Sequence, residues 1–556
     1  MEFTGARIIV RLLEREGIRA VAGIPGGAIL PLYDALSQSE TIGHVLARHE
    51  QGAGFIAQGM ARATGDVAVC LASSGPGATN LITAIADAKL DSIPLVCITG
   101  QVPQSMIGTD AFQEVDTYGL SIPVTKHNYL VRDAGELLCV VPEAFRIAKS
   151  GRPGPVLIDV PKDVQVQRLS FTGWPSPSGS PQRPGVDQTA IADAAAMINA
   201  AERPVLYLGG GVIHSGAGIA AVQLAEKASL PTTMTLMGLG AMPADHALSI
   251  GMLGMHAARY TNLVLEECDL LIAAGARFDD RATGKVKAFC RHAKIIHIDV
   301  DEAELNKIKA AHIGIAGDVG AVLSRLLPHV KAEPRLKWLG RVKELKGDFP
   351  LVMPGCDDVR SPYGLIRAVA GCSSDDVIIT TDVGQHQMWV AQAYPLRRPR
   401  QLLTSGGLGT MGFGLPAAIG AALAEPSRKV ICFTGDGSLL MNIQELATLA
   451  ELNLDVKIVL MNNNALGLVH QQQTLFYGKR LFASNYAGTV DFVRIAEGFG
   501  IKAVDLAAQA CPQAALHAAL GAIGPMLIHA PIDADHMVFP MVPPGAANKA
   551  MIGATA

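Results

Sequence analysis

Short apolar runs alternate along most of the chain with longer stretches in which apolar residues recur every three or four positions. The short runs are typical of buried strands, and the longer stretches are typical of helices. Strands that alternate with helices predict open parallel sheets, so the expected fold class is α/β. We expect three doubly wound domains, each built on a parallel sheet.

Two changes in composition predict the borders of these domains. Residues 170–184 are rich in Ser, Pro and Gly and are expected to link the first set of strands and helices to the second. A polar stretch, 329–358, precedes the third set. The resulting prediction is a first domain over 1–168, a central domain over 188–328 and a third domain over 358–545.

Composition and charge narrow the class of protein. The chain has 556 residues, of which 49% are hydrophobic and 17% charged, so sizeable cores are expected. Its formal net charge is −4 and the charges are interspersed, so we expect no nucleic-acid partner and no membrane partner. The nine scattered cysteines include no CxxC pair, which favours reduced thiols and a cytoplasmic location over a disulfide framework.

One uncharged segment, 401–424, is long enough to cross a membrane. Several glycines between Gly406 and Gly414, followed by Pro416, interrupt the segment. We therefore interpret it as a tightly turning active-site segment followed by a buried helix.

Polar residues follow two neighbouring predicted strands in the third domain. The strand pattern 429–434 runs into the sequence GDGS at 435–438, and the strand pattern 457–461 runs into two asparagines at 462–463. Both groups are expected at the carboxyl ends of parallel strands, where open α/β sheets bind ligands. Between them we expect one helix, whose apolar positions are Leu439, Ile443, Leu446 and Ala450.

The chemistry of these residues suits a phosphate and a metal ion. Glycines beside Asp436 let backbone N–H groups approach a phosphate, and the following helix directs its positive end toward the phosphate. Asp436 and Asn463 offer hard oxygen ligands for Mg²⁺. A strand–turn–helix unit with an incidental aspartate is the alternative. The GDG sequence, twenty-four further residues and then NN resemble the thiamine diphosphate motif of pyruvate-decarboxylase-like enzymes.

Thiamine diphosphate needs a carboxylate against its aminopyrimidine ring, and Glu50 is the best candidate. It ends a strand-like run and begins a helical stretch rich in small residues, 52–65, which allows close packing against a cofactor or a partner subunit. An exposed acid at a helix N-terminus is the alternative interpretation, because acids are favoured at that position.

Longer segments extend the resemblance to nearly the whole chain. They read GIPGGAILPLYDAL, RHEQGAGFIAQGMARATG, SSGPGATNLITAIADA, GTDAFQE, GRPGPVLIDVPKDV, GARFDDR, TDVGQHQMW, SGGLGTMGFGLPAAIGA and PMVPPGAAN, in this order. With them, the chain resembles the large catalytic subunits of the acetolactate synthase (acetohydroxyacid synthase) family, and isozyme I most of all.

The resemblance implies a pyruvate-decarboxylase-like architecture and three cofactors: thiamine diphosphate, Mg²⁺ and FAD. It implies decarboxylation of pyruvate and transfer of the two-carbon unit to a second pyruvate or to 2-ketobutyrate, the first step of branched-chain amino-acid biosynthesis. It also implies a homodimer or tetramer with active sites between subunits, so that Glu50 and Asp436 come from different chains. A small regulatory subunit is a further implied partner.

The resemblance also assigns roles to matching positions. Glu50 would activate the cofactor, Gly27 would lie beside the aminopyrimidine, and Met411 would hold the cofactor in its bent shape. Magnesium would be held by Asp436, Asn463 and the carbonyl of Ala465. The remaining contacts to thiamine diphosphate would come from Gln385, His386, Gly409, Gly435, Gly437 and Ser438. The substrate entrance would be lined by Phe112, Gln113 and Lys162.

FAD would bind the central domain, where the resemblance implies a structural cofactor that is not consumed. Its contacts would be Arg152, Gly209, Gly210, Gly211, Thr235, Leu236, Met255, His256, Arg277, Arg281 and Asp318. A GGG run after a strand is a weak signal by itself. The GxGxxG match at 407–412 is interpreted as accidental, because the strand–turn–helix context of a dinucleotide site is missing.

The chain departs from the family at Gln472, where most members carry a tryptophan that packs on the ethyl group of 2-ketobutyrate. A contact of one methylene contributes about 1–3 kcal/mol, so its loss weakens the preference for 2-ketobutyrate by about one or two orders of magnitude. We therefore expect acetolactate as the main product.

Three alternatives stay open at the level of sequence. A sister thiamine enzyme, such as a pyruvate oxidase or a glyoxylate carboligase, shares the motif; Glu50 argues against the carboligase, and Gln113 and Lys162 argue against the oxidase. An FAD- or NAD-dependent oxidoreductase rests on the glycine runs alone. A binding protein that keeps only the fold is disfavoured by intact Glu50, Asp436 and Asn463.

Overall fold

The computed structural model describes residues 1–179 and 185–553, so part of the predicted linker, 180–184, lies outside the described residues. Within the described ranges, the chain forms three six-stranded parallel sheets with helices packed around them, which confirms the predicted α/β class. The central strands of these sheets are fully buried, as expected for parallel sheets covered on both faces.

The first domain carries the N-terminal sheet. Its strands are β1 (Glu2–Thr4), β2 (Ala20–Gly23), β3 (Gly43–Leu46), β4 (Ala68–Ala72), β5 (Leu95–Gln101), β6 (His127–Leu130), β7 (Pro155–Pro161) and β8 (Arg168–Ser170). Its helices are α1 (Gly5–Arg15), α2 (Leu30–Ser37), α3 (Glu50–Thr64), α4 (Pro76–Asp91), α5 (Thr117–Ser121), α6 (Leu137–Lys149) and α7 (Lys162–Val166). The parallel sheet has the order β3-β2-β4-β5-β7-β6, and β1 pairs with β8 separately.

The central domain has a different strand order. Its strands are β9 (Pro204–Leu208), β10 (Thr232–Met234), β11 (Ser249–Met252), β12 (Leu270–Ala274), β13 (Lys294–Asp299) and β14 (Ile313–Ala316). Its helices are α8 (Gln188–Ala200), α9 (Gly210–His214), α10 (Gly218–Ala228), α11 (Arg259–Glu267), α12 (Asp280–Thr283) and α13 (Val319–Leu326). The order β11-β10-β9-β12-β13-β14 is that of dinucleotide-binding folds, with the order reversing between β9 and β12.

The polar stretch 329–358 contains a helix, α14 (Leu336–Asp348), that packs on the central domain. Trp338 on α14 donates a hydrogen bond from its ring nitrogen to the carbonyl oxygen of Pro204 at 3.0 Å. Trp338, Val342 and Leu345 are buried against the central core.

The third domain repeats the strand order of the first. Its strands are β15 (Ile378–Thr381), β16 (Leu402–Leu403), β17 (Val430–Gly435), β18 (Val456–Asn462), β19 (Lys502–Asp505) and β20 (Met526–Pro531). Its helices are α15 (Pro362–Gly371), α16 (Gln385–Ala393), α17 (Gly414–Ala424), α18 (Asp436–Leu439), α19 (Glu445–Leu452), α20 (Gly467–Phe476), α21 (Phe492–Gly498) and α22 (Pro512–Gly521). The order β16-β15-β17-β18-β20-β19 matches that of the first sheet strand for strand.

The single helix predicted after the GDGS sequence is wrong, because the structure has two short helices, α18 and α19, in its place. Between them the backbone N–H groups of Met441 and Asn442 bond three residues back, as in turns. The buried side chain of Asn442 donates to the carbonyl oxygen of Gly412 at 2.8 Å. This tertiary hydrogen bond holds the chain in the turn and interrupts the helix.

Helices α3 and α17 pack together so closely that only glycine fits at the contact. A Cβ atom on Gly59 would lie 2.2 Å from the carbonyl oxygen of Ala417, and one on Gly420 would lie 1.9 Å from that of Ile56. The small residues predicted to allow close packing of α3 therefore bring it against the third domain of the same chain. Segment 401–424 forms the predicted loop and buried helix α17, and before them a short strand, β16, that was not predicted. None of the helices in the described ranges is long and apolar enough to cross a membrane.

Candidate active site

The carboxyl ends of β17 and β18 bring the predicted metal ligands together. Asp436 is the first residue of α18 and is 3% exposed, and within the described residues its Oδ2 atom has no hydrogen-bond partner. Burial raises the pKa of Asp436 to about 6, and hydrogen bonds from the backbone N–H groups of Gly437, Ala465 and Asn463 oppose the rise. The Asn463 Oδ1 atom accepts a hydrogen bond from the N–H of Ala465 at 3.2 Å.

These groups fit Mg²⁺. A buried carboxylate oxygen without a partner is costly, and a cation would satisfy it. The carboxylate of Asp436, the amide oxygen of Asn463 and the carbonyl of Ala465 are all hard oxygen donors, which Mg²⁺ prefers.

The start of α16 forms the adjoining wall. Gln385 accepts a hydrogen bond from the Nδ2 of Asn463 at 3.1 Å. The His386 ring lies beside Gly435, where a Cβ atom would come within 3.0 Å of its Nδ1. Burial lowers the pKa of His386 to about 3, so the ring is neutral, and its Nε2 has no partner in the described part of the chain. With its single proton on Nε2, the neutral ring would donate to an anion that fills this cradle, such as a diphosphate.

The loop between β16 and α17 closes the same pocket. A Cβ atom on Gly437 would lie 3.5 Å from the terminal methyl of Met411 and 2.6 Å from the hydroxyl of Tyr486. Ser438 donates from its hydroxyl to the carbonyl oxygen of Val383 at 2.7 Å. Gly409 adopts a left-handed φ of 69° in this loop.

Asp382, which was not among the predicted site residues, holds this loop in place. Its carboxylate accepts hydrogen bonds from the N–H groups of Gly412 at 2.8 Å and Gly414 at 3.1 Å. The residue is completely buried, and burial raises its pKa to about 6. No sequence signal marks this role, because it depends on a contact with a loop about thirty residues away.

Glu50 begins α3 at the edge of the first sheet, where it is half-buried rather than fully exposed. Its Oε2 accepts a hydrogen bond from the Nδ2 of Asn80 at 2.9 Å. Asn80 lies on α4 and was not foreseen in the sequence. Among the described residues, no hydrogen bond or ion pair joins Glu50 to Asp436.

Other predicted residues gather at the same edge of the first sheet. Gln113, with a left-handed φ of 58°, lies against Gly75, where a Cβ atom would be 2.8 Å from the Gln113 carbonyl oxygen. Phe112 is 86% exposed on the same loop, and Lys162 follows β7 directly. Gly27 follows β2 in a loop whose neighbouring Gly26 packs against Ser73 at the end of β4.

The central domain contributes a cavity of about 640 Å³, within the size range of cofactor pockets. It lies beside the end of β9, where Gly209 packs so tightly that a Cβ atom would be 2.1 Å from the Gly275 carbonyl oxygen. Each residue predicted for the flavin lines it: Arg152, Gly209, Gly210, Gly211, Thr235, Leu236, Met255, His256, Arg277, Arg281 and Asp318.

The same cavity continues to the third domain. Gly409, Leu468, Gln471 and Gln472 line its wall. Gln472 is exposed on α20, whereas its neighbour Gln471 is buried and bonded to the Val538 carbonyl oxygen at 2.9 Å. The predicted specificity residue therefore lies on the wall of an open cavity.

Comparisons with known proteins cover all three domains. Family models of thiamine pyrophosphate enzymes match the N-terminal TPP binding domain at residues 3–120, the central domain at 191–326 and the C-terminal TPP binding domain at 382–530. The chain is 65% identical to the acetolactate synthase isozyme 1 large subunit of Escherichia coli (strain K12), over 99% of this chain and 98% of that protein.

Two other relatives are also matched along their length. The acetolactate synthase large subunit of Parasynechococcus marenigrum (strain WH8102) is 47% identical over 99% of this chain and 91% of that protein. The acetolactate synthase isozyme 2 large subunit of Escherichia coli (strain K12) is 46% identical over 99% of both chains.

Proposed function

The chain belongs to the acetolactate synthase large-subunit family of thiamine pyrophosphate enzymes, and we propose that the edges of its first and third sheets are the two halves of the catalytic site. The enzyme is a transferase that decarboxylates pyruvate and passes the two-carbon unit to a second pyruvate or to 2-ketobutyrate, which begins branched-chain amino-acid biosynthesis. The full-length matches do not favour a pyruvate oxidase.

The observation that carries the site proposal is the buried, unpartnered Oδ2 of Asp436 beside Asn463 and Ala465. These three residues would hold Mg²⁺. Gln385, with the neutral ring of His386, would bind the diphosphate through the polar atoms that face the cradle. Thiamine diphosphate, when bound, supplies the electron sink needed for loss of CO₂ from a 2-keto acid.

The first sheet would supply proton handling and substrate contacts. Glu50 would hold a proton at the aminopyrimidine, and the amide of Asn80 fixes the position of its carboxylate. Gln113 and Lys162 would contact the 2-keto acid at the entrance, and the exposed ring of Phe112 would border it. The central cavity, which the predicted flavin residues line, would hold FAD as a structural cofactor.

We propose that the two half-sites come together between two copies of the chain, in a homodimer or a tetramer. Exposed apolar side chains near the first-sheet edge, Phe112, Tyr118, Leu120 and Ile122, support a covering partner. A mixture of Glu50→Gln and Asp436→Asn chains tests this. If sites are shared, randomly mixed dimers regain about a quarter of wild-type activity, because half of the dimers contain one intact site. Absence of recovery in co-purified mixed dimers would contradict the proposal.

We also propose a cytoplasmic location, which the nine free cysteines support, and a small regulatory subunit as partner. Adding candidate small subunits should change activity or its sensitivity to branched-chain amino acids. If neither changes, the regulatory partner is ruled out for the subunits tested.

We propose that Gln472 sets a weak preference between the two acceptors. The test incubates the enzyme with its cofactors and equal pyruvate and 2-ketobutyrate, and measures both acetohydroxy acids, acetaldehyde and acetate. Comparable amounts of the two acetohydroxy acids are expected, and Gln472→Trp should favour acetohydroxybutyrate by about 10- to 100-fold. Gln473→Trp is a neighbouring control. A large excess of acetohydroxybutyrate from the unaltered enzyme would contradict the role of Gln472, and acetaldehyde or acetate alone would contradict the carboligase activity.

A further inference from the structure

The loop formed by residues 404–413, here called the junction loop, lies where the three domains meet. A Cβ atom on Gly406 would be 2.3 Å from the sulfur of Met237 in the central domain. One on Gly407 would be 2.9 Å from the Oδ1 of Asp91 in the first domain and 3.0 Å from Nη2 of Arg277 in the central domain. The loop therefore fills the space between the first and central domains while belonging to the third.

The junction loop is a wall of both proposed cofactor sites. Ser405, Gly406, Gly407, Leu408 and Gly409 line the central cavity. Two residues further along, Met411 reaches the position of Gly437 in the predicted diphosphate cradle. A shift of this short loop would therefore change the shape of both sites together.

A buried ionic cluster from the first domain holds the loop. Arg62 on α3 forms ion pairs with Asp87 at 3.0 Å and with Asp91 at 2.9 Å, and both acids lie on α4. All three side chains are at most 4% exposed. One guanidinium faces two carboxylates here, so the cluster carries an excess of buried negative charge if both acids are ionised.

The junction loop supplies the donors that satisfy this excess. The N–H groups of Gly406 and Gly407 donate to Asp91 at 3.0 and 2.7 Å. The hydroxyls of Ser405 and Thr410 donate to Asp87, the latter at 3.1 Å.

Arg62 completes the attachment from the other side. It donates to the carbonyl oxygen of Thr404 at 2.9 Å, and its guanidinium lies 4.9 Å from the centre of the Phe413 ring. Both ends of the junction loop are therefore tied to the same cation.

These contacts fix the loop because they are buried. An unpaired charge or carboxylate in a buried site is costly, so the loop cannot move away without leaving the acids unsatisfied. Burial, and then the neighbouring Asp91, raise the pKa of Asp87, whereas Arg62 and the hydroxyls of Ser405 and Thr410 lower it. The arrangement therefore favours one loop conformation over others.

We propose that Arg62, Asp87 and Asp91 are positioning residues that hold the junction loop in the one arrangement used by both cofactor sites, and thereby link the binding of flavin to that of thiamine diphosphate. The inference rests on the proposed assignment of the two sites. Linkage is reciprocal: flavin tightens the binding of thiamine diphosphate by the same factor by which thiamine diphosphate tightens the binding of flavin.

The test measures binding rather than turnover. Enzyme freed of cofactors is titrated with thiamine diphosphate in Mg²⁺, with and without saturating FAD, and the Kd is read from quenching of protein fluorescence. Wild-type enzyme should bind thiamine diphosphate about 5- to 150-fold more tightly with FAD present, the usual range of coupling between two sites. Asp91→Asn keeps the shape, but it removes the charge and replaces one of the two oxygens that accept from the loop N–H groups with a donor, so the ratio should fall close to one.

A matched control separates the junction loop from other interdomain contacts. Glu445 is also a fully buried acid between the first and third domains, where it accepts from the N–H groups of Arg48 and His49 at 3.0 and 3.1 Å. It bonds to no part of the junction loop among the described residues. Glu445→Gln should therefore keep the wild-type ratio, and an equal loss of coupling in this variant would overturn the proposal.

A milder variant decides the matter if Asp91→Asn does not fold, as judged by circular dichroism. Thr410→Val removes one loop donor to Asp87 and leaves the charges in place, so it should lower the ratio several-fold. A wild-type ratio of one, or an unchanged ratio in the folded variants, overturns the proposal. The proposed function would fail differently, through absent binding of either cofactor or absent acetohydroxy acid products.

Discussion

The first and third sheets have the same strand order but carry different chemistry at equivalent turns. In the third domain, β17 runs into Asp436, whose carboxylate is buried with one oxygen unsatisfied. In the first domain, β4 runs into Ser73 and Gly75, and the carboxylate comes instead from Glu50 at the start of α3. In the proposed assignment, one topology would therefore bind a metal ion and an anion at one edge and hold a proton at the other.

The helices that follow these turns also differ, both in length and in the side chains that they position. Helix α4 begins with Pro76 and continues for 16 residues, and it carries the amide of Asn80 to Glu50. Helix α18 ends after four residues, and the turn that follows places Asn442 against Gly412 in the junction loop. Strand order alone therefore does not determine a site; the residues at the turn do.

The largest effect should come from removing the acid of the third turn. Asp436→Asn exchanges a charged metal ligand for a neutral one, and we expect no measurable activity and loss of Mg²⁺-dependent binding of thiamine diphosphate. The binding is followed by fluorescence across a Mg²⁺ titration. Asp357→Asn, an exposed acid just before the third domain, is the control and should behave as wild type. An unchanged Mg²⁺ requirement in Asp436→Asn would show that the third turn does not hold the metal.

A smaller effect, on kcat rather than on cofactor binding, is expected from removing the acid at the edge of the first sheet. Glu50→Gln keeps the hydrogen bond to Asn80 but removes the proton-sharing carboxylate, so kcat should fall by about 10²–10⁴-fold, the usual contribution of an acid–base group. Thiamine diphosphate and Mg²⁺ should still bind within a few-fold of wild type. Loss of cofactor binding would instead place Glu50 in the same role as Asp436 and remove the contrast between the two edges. The exposed Glu40→Gln serves as control.

The smallest effect should come from the turn backbone of the first domain. Gly75 has a φ of 58°, and an alanine there would place Cβ 2.8 Å from the Gln113 carbonyl oxygen. We expect the Gln113 loop to shift and the KM for pyruvate to rise by roughly tenfold, since small misplacements of binding groups are costly. Gly17→Ala is the control that separates backbone strain from steric collision. Its φ is 83°, but no atom lies within 4 Å of the added Cβ. An equal rise in KM for both variants would contradict this account.

Local patterns sufficed for the fold class and for the elements next to the motifs. Apolar runs predicted β17 and β18, and the comparisons confirm the thiamine-enzyme family and its activity. The single helix after β17 was predicted wrongly, because its interruption depends on the hydrogen bond from Asn442 to Gly412, which no local pattern encodes. The roles given to individual site residues stay predictions.

The sequence alone did not predict the residues that act through contacts with distant parts of the chain. Asp382 resembles any aspartate after a strand, and Asn80 resembles any polar residue on a helix. Their importance comes from what tertiary packing places opposite them: the loop at Gly412 and the carboxylate of Glu50. Strand order is equally non-local, so the identity between the first and third sheets emerged only from the folded chain.

The close packing of α3 against α17 has a consequence for how the protein is made. Arg62 on α3 and its partner Thr404 near α17 are 342 residues apart along the chain. At about 5–20 residues per second, the ribosome delivers the second surface on the order of 20 to 70 s after the first. During that interval the face of α3 that carries Ile56 and Gly59 lacks its partner α17 and is open to incorrect association. We therefore expect the chain to depend most on a chaperone in this interval, before α17 has been synthesised.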